Sequence, residues 1–151
     1  MKVISACLIG CHCRYDGNAK AVDRFTRMVE RGEAVFVCPE QLGGLSTPRP
    51  PAQIVGGTGE DVLDGRAKVV TDGGVDVTDS FIKGAQEALR LAQLAGAKVA
   101  VLKERSPSCG SSLIYDGSFS GGKRPGNGVT AALLKRHGIE VYSEETYPGD
   151  A

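Results

Sequence analysis

The feature that most constrains the fold is an alternation of short apolar runs with longer amphipathic stretches. The apolar runs Lys2 to Cys7, Ala34 to Cys38 and Lys98 to Leu102 are typical of strands buried on both faces. Strands that alternate with helices form parallel sheets through right-handed crossovers. The sequence therefore predicts an α/β fold: a three-layer, Rossmann-like domain with a mainly parallel sheet. The remaining elements of this pattern are helices over Ala19–Arg31, Asp79–Ala95 and Val129–His137, and a last strand over Ile139–Tyr142.

Between these elements the chain carries an insertion and two long polar segments. Ala67–Thr71 and Val75–Val77 are joined by Asp72-Gly73-Gly74, which predicts a small β-hairpin. Pro39 to Gly59 and Lys103 to Gly128 are rich in Gly, Pro or Ser and are predicted to be loops, and loops this long are usually functional or disordered. A length of 151 residues fits one domain, so residues 1–151 are predicted to form a single unit.

The charge balance excludes several classes of partner. Lys and Arg total 18 and Asp and Glu total 18, so the formal net charge is zero and no field attracts nucleic acid or anionic lipid. No apolar run approaches the ~20 residues of a spanning helix. Met1 to Ala6 lacks the apolar region of a signal peptide, so we expect a cytoplasmic protein without nucleic-acid or membrane partners. No feature of the sequence indicates an oligomeric state.

The positions of the cysteines indicate a ligand set. The chain has five, an odd number without a secretory signal, which argues against a disulfide framework. Cys7 ends the first predicted strand, Cys38 ends the second, and Cys109 lies in the loop after the third. Ligands of open parallel sheets bind beyond the carboxyl ends of the strands, so we expect these thiols to converge. Three thiolates suit a cluster or metal with one open coordination position, whereas a closed structural site needs four ligands.

Other interpretations of the cysteines stay open. A free cysteine is often a small buried hydrophobe, and for a single strand end packing is the better interpretation. Cys11-His12-Cys13 resembles half of a zinc site, although no second half follows it. A non-catalytic iron–sulfur or zinc-binding module is therefore an alternative to an enzyme.

Polar residues beside the cysteines supply candidate chemistry. Glu40 follows Cys38 by two positions and could act as a general acid or base, or it could cap a turn. Ser106 and Ser108 precede Cys109 in a hydroxyl-rich loop that could offer backbone N–H groups to an anion or to cluster sulfides. The same composition also makes ordinary turns. Cations that could neutralise an anionic ligand are Arg14, Arg49 and Lys103.

Three ordered blocks of sequence resemble the signatures of one family. They are Ser5-Ala6-Cys7-Leu8-Ile9-Gly10 with Cys13-Arg14-Tyr15-Asp16-Gly17; Cys38-Pro39-Glu40 with Gly43-Gly44-Leu45 and Pro48-Arg49; and Ser106-Pro107-Ser108-Cys109-Gly110 with Tyr115-Asp116-Gly117 and Gly126-Asn127-Gly128-Val129-Thr130. These blocks are similar to those of the thiouracil desulfidase family, and the resemblance runs nearly end to end.

The resemblance implies a cofactor and a reaction. It implies a [4Fe–4S] cluster held by Cys7, Cys38 and Cys109, with the fourth iron free to bind a substrate sulfur. Cys13 also belongs to the family pattern and is the rival ligand. The implied reaction is non-redox, hydrolytic removal of sulfur from a small-molecule thiolated nucleobase such as 2-thiouracil, giving uracil and sulfide; another small thioamide is the alternative substrate. Glu40 would activate water, and Ser106, or alternatively Ser108, would bind or protonate the ring.

Overall fold

The computed structural model describes residues 1–149. None of the helices in that range is long and apolar enough to cross a membrane. In chain order the elements are β1 (Lys2–Ser5), α1 (Asp23–Glu30), β2 (Ala34–Val37), α2 (Pro39–Leu42), β3 (Ala52–Val55), α3 (Gly59–Leu63), β4 (Lys68–Thr71), α4 (Thr78–Leu94), β5 (Val99–Leu102), β6 (Leu113–Tyr115), β7 (Lys123–Pro125), α5 (Val129–Arg136) and β8 (Glu140–Ser143).

The central sheet has four parallel strands in the order β2-β1-β5-β8. Successive side chains of a strand point to opposite faces, so its apolar residues divide between two cores. Val3 packs with the α4 residue Ala88 on one face, whereas Ile4 packs with the α1 residue Phe25 on the other. Helices therefore cover both faces, which confirms the predicted α/β fold with a mainly parallel sheet.

The predicted hairpin over Ala67–Thr71 and Val75–Val77 is only partly right. The turn is present, since the backbone N–H of Thr71 donates to the Val75 carbonyl at 2.9 Å. The main partner of β4, however, is β3, in an antiparallel pair that sets Ala52 opposite Thr71. The predicted loop over Pro39–Gly59 is therefore wrong, because it contains α2 and β3. Its four prolines outside β3 gave the segment a loop composition and obscured a four-residue strand.

Three further boundaries differ from the sequence prediction. The predicted loop Lys103–Gly128 contains the short hairpin β6–β7. The first strand ends at Ser5, and Ala6–Ile9 form a 3-10 turn. Helix α1 begins at Asp23 and not at Ala19, because residues 19–22 run back along that turn. There the N–H of Lys20 donates to the Cys7 carbonyl at 2.9 Å and the N–H of Val22 to the Leu8 carbonyl at 2.8 Å.

Helix α2 lies against α4 with backbone touching backbone. A Cβ on Gly84 would lie 1.9 Å from the Pro39 carbonyl oxygen, and a Cβ on Gly43 would lie 2.0 Å from the Ser80 carbonyl oxygen. Real side chains do not tolerate such distances, so only glycine allows this approach. The contact fixes the position of α2 beyond the carboxyl end of β2.

Candidate active site

A cavity of about 460 Å³ lies beyond the carboxyl ends of β1, β2 and β5. Cys7 reaches it from the 3-10 turn after β1, Cys38 from the residue after β2, and Cys109 from the loop after β5. Cys13 also lines the cavity, whereas Cys11 does not. The fold thus brings together four thiols from three segments that are far apart in the sequence.

The surroundings of Cys13, Cys38 and Cys109 favour the protonated thiols. The Cys13 thiol hydrogen-bonds to the Cys38 thiol, which lowers its pKa, but the bond to Cys7 and burial outweigh this and raise the pKa to about 11. The hydrogen bond with Cys13, together with burial, raises the pKa of Cys38 far above its usual range. Burial raises the pKa of Cys109 to about 12, although the hydroxyls of Ser108 and Ser5 oppose it. Thiolate ligation of a metal cluster would therefore displace protons.

The donor set suits a cluster better than a single metal ion. Cys7, Cys38 and Cys109 line one cavity from three separate strand ends, and cysteine thiolates are the usual ligands of iron–sulfur clusters. Within residues 1–149, no three His, Cys, Asp or Glu side chains converge tightly enough to hold one ion. A cluster does not need such convergence, because each ligand binds a different iron atom. His12, part of the possible zinc half-site, is exposed and contacts the Gly17 carbonyl through Nδ1 at 3.2 Å.

Glu40 lies in the first turn of α2, which begins with Pro39 directly after Cys38. Its Oε1 accepts a hydrogen bond from Arg49 Nε at 3.1 Å in an ion pair whose side chains are only 16% and 5% exposed. Its Oε2 accepts from Ser108 Oγ at 3.1 Å and from Ser106 Oγ at 3.4 Å. Within residues 1–149 the Glu40 carboxylate makes no capping hydrogen bond, and its partners are Arg49, Ser106 and Ser108 in the cavity wall.

Arg49 connects this carboxylate to the cysteine loop. The Nη2 group donates to the Cys13 carbonyl at 2.9 Å, and Nη1 donates to the Ser46 carbonyl at 3.1 Å. Because the guanidinium is rigid and planar, one side chain fixes both Glu40 and the backbone at Cys13.

The hydroxyls of Ser106 and Ser108 form a directed chain. Ser106 Oγ accepts hydrogen bonds from the backbone N–H groups of Ser108 and Cys109, both at 3.2 Å. A hydroxyl has two acceptor positions and one proton, so Ser106 is left as a donor. It lies 3.1 Å from Ser108 Oγ, which in turn lies 3.1 Å from Glu40 Oε2. The single Ser106 proton can therefore go to Ser108 Oγ or directly to Glu40 Oε2, 3.4 Å away.

Sequence reasoning missed Glu104, a carboxylate that is only 3% exposed. Its Oε1 accepts hydrogen bonds from the N–H groups of Ser111 at 3.0 Å and of Ser112 and Leu113 at 3.2 Å, and its Oε2 accepts from Ser112 Oγ at 2.6 Å. Burial alone would raise its pKa, but these bonds prevail and hold the pKa at about 2. Glu104 thus joins the two ends of the segment of residues 104–113 by hydrogen bonds. This segment carries Ser106, Ser108 and Cys109. The available signal was a charged residue directly after a buried strand and before a run of serines.

The predicted cations have different environments. Arg49 is paired with Glu40, and Lys103 Nζ forms an ion pair with Glu144 Oε2 at 2.9 Å. Arg14 lines the cavity and forms no salt bridge among residues 1–149, although its charge acts on the nearby Asp16 carboxylate. Only Arg14 of the three is therefore left to meet a charged ligand.

The parallel sheet and the cysteine-lined cavity define a class of protein, an α/β domain with a thiol-rich site at the carboxyl edge of its strands. The chain matches the 2-thiouracil desulfurase family over residues 3–146. It is 54% identical over 144 residues to "Uncharacterized protein YbbK" of Bacillus subtilis (strain 168), covering 95% of each chain. It is also similar to a solved structure described as "[4Fe-4S]-dependent thiouracil desulfidase TudS", with a TM-score of 0.86, 47% identity, and coverage of 97% of this chain and 91% of that one. This protein therefore belongs to the 2-thiouracil desulfurase family, which confirms the resemblance found in the sequence.

Proposed function

We propose that this protein is an iron–sulfur-dependent desulfidase that removes sulfur from a thiolated nucleobase such as 2-thiouracil, giving uracil and sulfide. The single observation that carries the proposal is one cavity wall that unites Cys7, Cys38 and Cys109 with the Glu40 carboxylate and its two serine donors. The relation to a solved [4Fe-4S]-dependent thiouracil desulfidase at 47% identity supports it.

Cys7, Cys38 and Cys109 would hold the [4Fe–4S] cluster. The bound cluster supplies a Lewis-acidic iron with an open position for the substrate sulfur. Cys13 is the alternative ligand, because its thiol already contacts those of Cys7 and Cys38.

In the proposed reaction, Glu40 acts as the general base. Arg49 holds Oε1, so Oε2 is the oxygen that takes a proton from the attacking water. Ser108 donates a hydrogen bond to that oxygen, and the hydroxyl of Ser106, or alternatively that of Ser108, would bind or protonate the substrate ring. In the net reaction, water supplies oxygen to the ring carbon and the sulfur leaves as sulfide, so no electron is transferred.

The first test combines cofactor content with turnover. The protein is purified without oxygen and reconstituted with iron and sulfide; both are counted, and loss of 2-thiouracil is followed by absorbance. We expect about four irons per chain, as in a [4Fe–4S] cluster, together with turnover. Glu40→Gln should keep the iron and lose activity about 10²–10⁴-fold, whereas Glu87→Gln, on the exposed face of α4, should behave like wild type.

Other outcomes would contradict the proposal at identifiable points. Iron without turnover on any thiolated base would favour a binding module. A protein that contains zinc, or no metal, after reconstitution would rule out the iron–sulfur cluster. Full activity of Glu40→Gln would show that the Glu40 carboxylate is not the general base.

A further inference from the structure

Gln53 is a polar residue of the cavity that the mechanism above leaves without a role. It lies on β3, inside a segment predicted from the sequence as loop, and it is half-buried. It lines the same cavity as Glu40 and Tyr115.

The orientation of the Gln53 amide is fixed by the loop after β6. Its Oε1 accepts hydrogen bonds from the backbone N–H groups of Gly117 at 3.0 Å and Phe119 at 3.3 Å. An amide nitrogen has no lone pair to accept such bonds, so the oxygen and nitrogen cannot be exchanged. Gly117 has a φ of +90°, and a Cβ there would lie 2.6 Å from the Ile54 carbonyl oxygen, so the loop is seated tightly on β3.

The amide nitrogen is therefore the group available to a ligand. Neither Gly117 nor Phe119 lines the cavity, so the oxygen is committed to the loop outside it. The two N–H donors of Nε2 have no hydrogen-bond partner within residues 1–149. Nε2 is not among the buried unpaired polar atoms of the described residues, so it is open to solvent and can exchange water for a ligand oxygen.

We propose that Gln53 selects the substrate ring by donating a hydrogen bond from Nε2 to a ring carbonyl oxygen. This inference rests on the proposed desulfidase function. The 2-thiouracil ring carries an oxygen at C4, which accepts this bond, whereas 2-thiocytosine carries an amino group there. An amino donor facing the amide donor leaves both groups unpaired, which is the condition under which a binding site discriminates strongly.

Gln53→Glu tests the proposal because it is isosteric. The carboxylate still offers an oxygen to the N–H groups of Gly117 and Phe119, but it presents an acceptor to the ring in place of a donor. We expect kcat/KM for 2-thiouracil to fall at least about tenfold, and its ratio to kcat/KM for 2-thiocytosine to fall by about 30-fold or more. Iron content should stay at the wild-type level, and Gln86→Glu, an exposed change of equal charge on α4, should leave the ratio unaltered.

A purely structural role gives a different result. If Gln53 only holds the loop, Gln53→Glu retains the accepting oxygen, and the substrate ratio stays at the wild-type value. An unchanged ratio at full iron content would overturn the proposal.

Calorimetric binding of uracil and cytosine to the cluster-loaded protein separates this inference from the proposed function. If wild type binds uracil more tightly than cytosine and Gln53→Glu reverses this preference, the role of Gln53 is supported. This holds even if the protein turns over no thiolated base. The lack of turnover would count only against desulfidase activity. Equal binding of uracil and cytosine by wild type overturns the role of Gln53 and leaves desulfidase activity standing. If Gln53→Glu loses iron, the wild-type comparison of the two bases decides alone.

Discussion

Two arms of the molecule reach the same cavity and are held in opposite ways. Helix α2, which carries Glu40 after β2, is held by shape, through the backbone contact of Gly84 with Pro39. The segment of residues 104–113, which carries Cys109 after β5, is held by charge, through the buried Glu104 carboxylate and the N–H groups around it. The comparison teaches that neighbouring parts of one site can respond to different perturbations, the first to added volume and the second to pH.

The largest effect is expected from Gly84→Ala, which attacks the arm held by shape. Alanine favours a helix over glycine by about 1 kcal/mol, so any loss must come from the contact with α2. The added methyl group would lie 1.9 Å from the Pro39 carbonyl oxygen and must displace α2 together with Glu40. We expect turnover to fall by roughly 10²-fold and the free energy of unfolding by about 1–3 kcal/mol, measured by 2-thiouracil kinetics and urea denaturation.

A second glycine provides the control for that change. Gly73 lies in the turn after β4, where an added Cβ meets nothing closer than the Thr71 hydroxyl at 3.9 Å. Gly73→Ala should leave both measurements near wild type. Equal turnover of Gly84→Ala and Gly73→Ala would show that α2 is not fixed by shape.

A smaller effect overall, because it is expected on stability and not on both stability and turnover, should result from Glu104→Gln, which attacks the arm held by charge. The pKa of Glu104 lies below its usual value, so its stabilising contribution is present above about pH 4.5 and is lost as the pH falls toward 2. We expect the variant to be less stable than wild type by about 2–3 kcal/mol at pH 7, and the difference to narrow as the pH falls below 5. Urea denaturation of both proteins at pH 7, 5 and 4 measures this, and a difference independent of pH would contradict it.

The limits of sequence reasoning follow from how each feature is made. The parallel sheet was predictable because runs such as Ala34–Val37 carry a local apolar signal, and the sheet rule then places Cys7, Cys38 and Cys109 at one edge. Strand β3 was missed because helix α3, and not a tight turn, separates it from its partner β4, and because prolines directly precede it.

The polar groups around the site were harder to predict than the cysteines. Glu104 is bound mainly by backbone N–H groups, which every residue except proline has, so no side-chain pattern marks it. Gln53 acquires its fixed orientation from Gly117, which is 64 positions away. Such roles depend on tertiary contacts that single-sequence patterns do not contain.

The smallest effect is expected from Ser112→Ala. This change separates the contribution of the Ser112 hydroxyl from that of the backbone N–H groups that bind Glu104. This change removes the Oγ donor at 2.6 Å from Glu104 Oε2 and keeps the Ser112 N–H that bonds to Oε1. One hydrogen bond to a charged group contributes about 1.5–3 kcal/mol, so we expect a loss at the lower end, with turnover near wild type because the backbone donors still close the segment. Ser111→Ala is the matched control, since Ser111 contacts Glu104 only through its backbone N–H. If Ser112→Ala destabilised the protein as much as Glu104→Gln, the Ser112 hydroxyl would account for the whole stabilising contribution of Glu104. The N–H groups of residues 111–113 would then lie near the carboxylate because other contacts fix the backbone, without adding to stability.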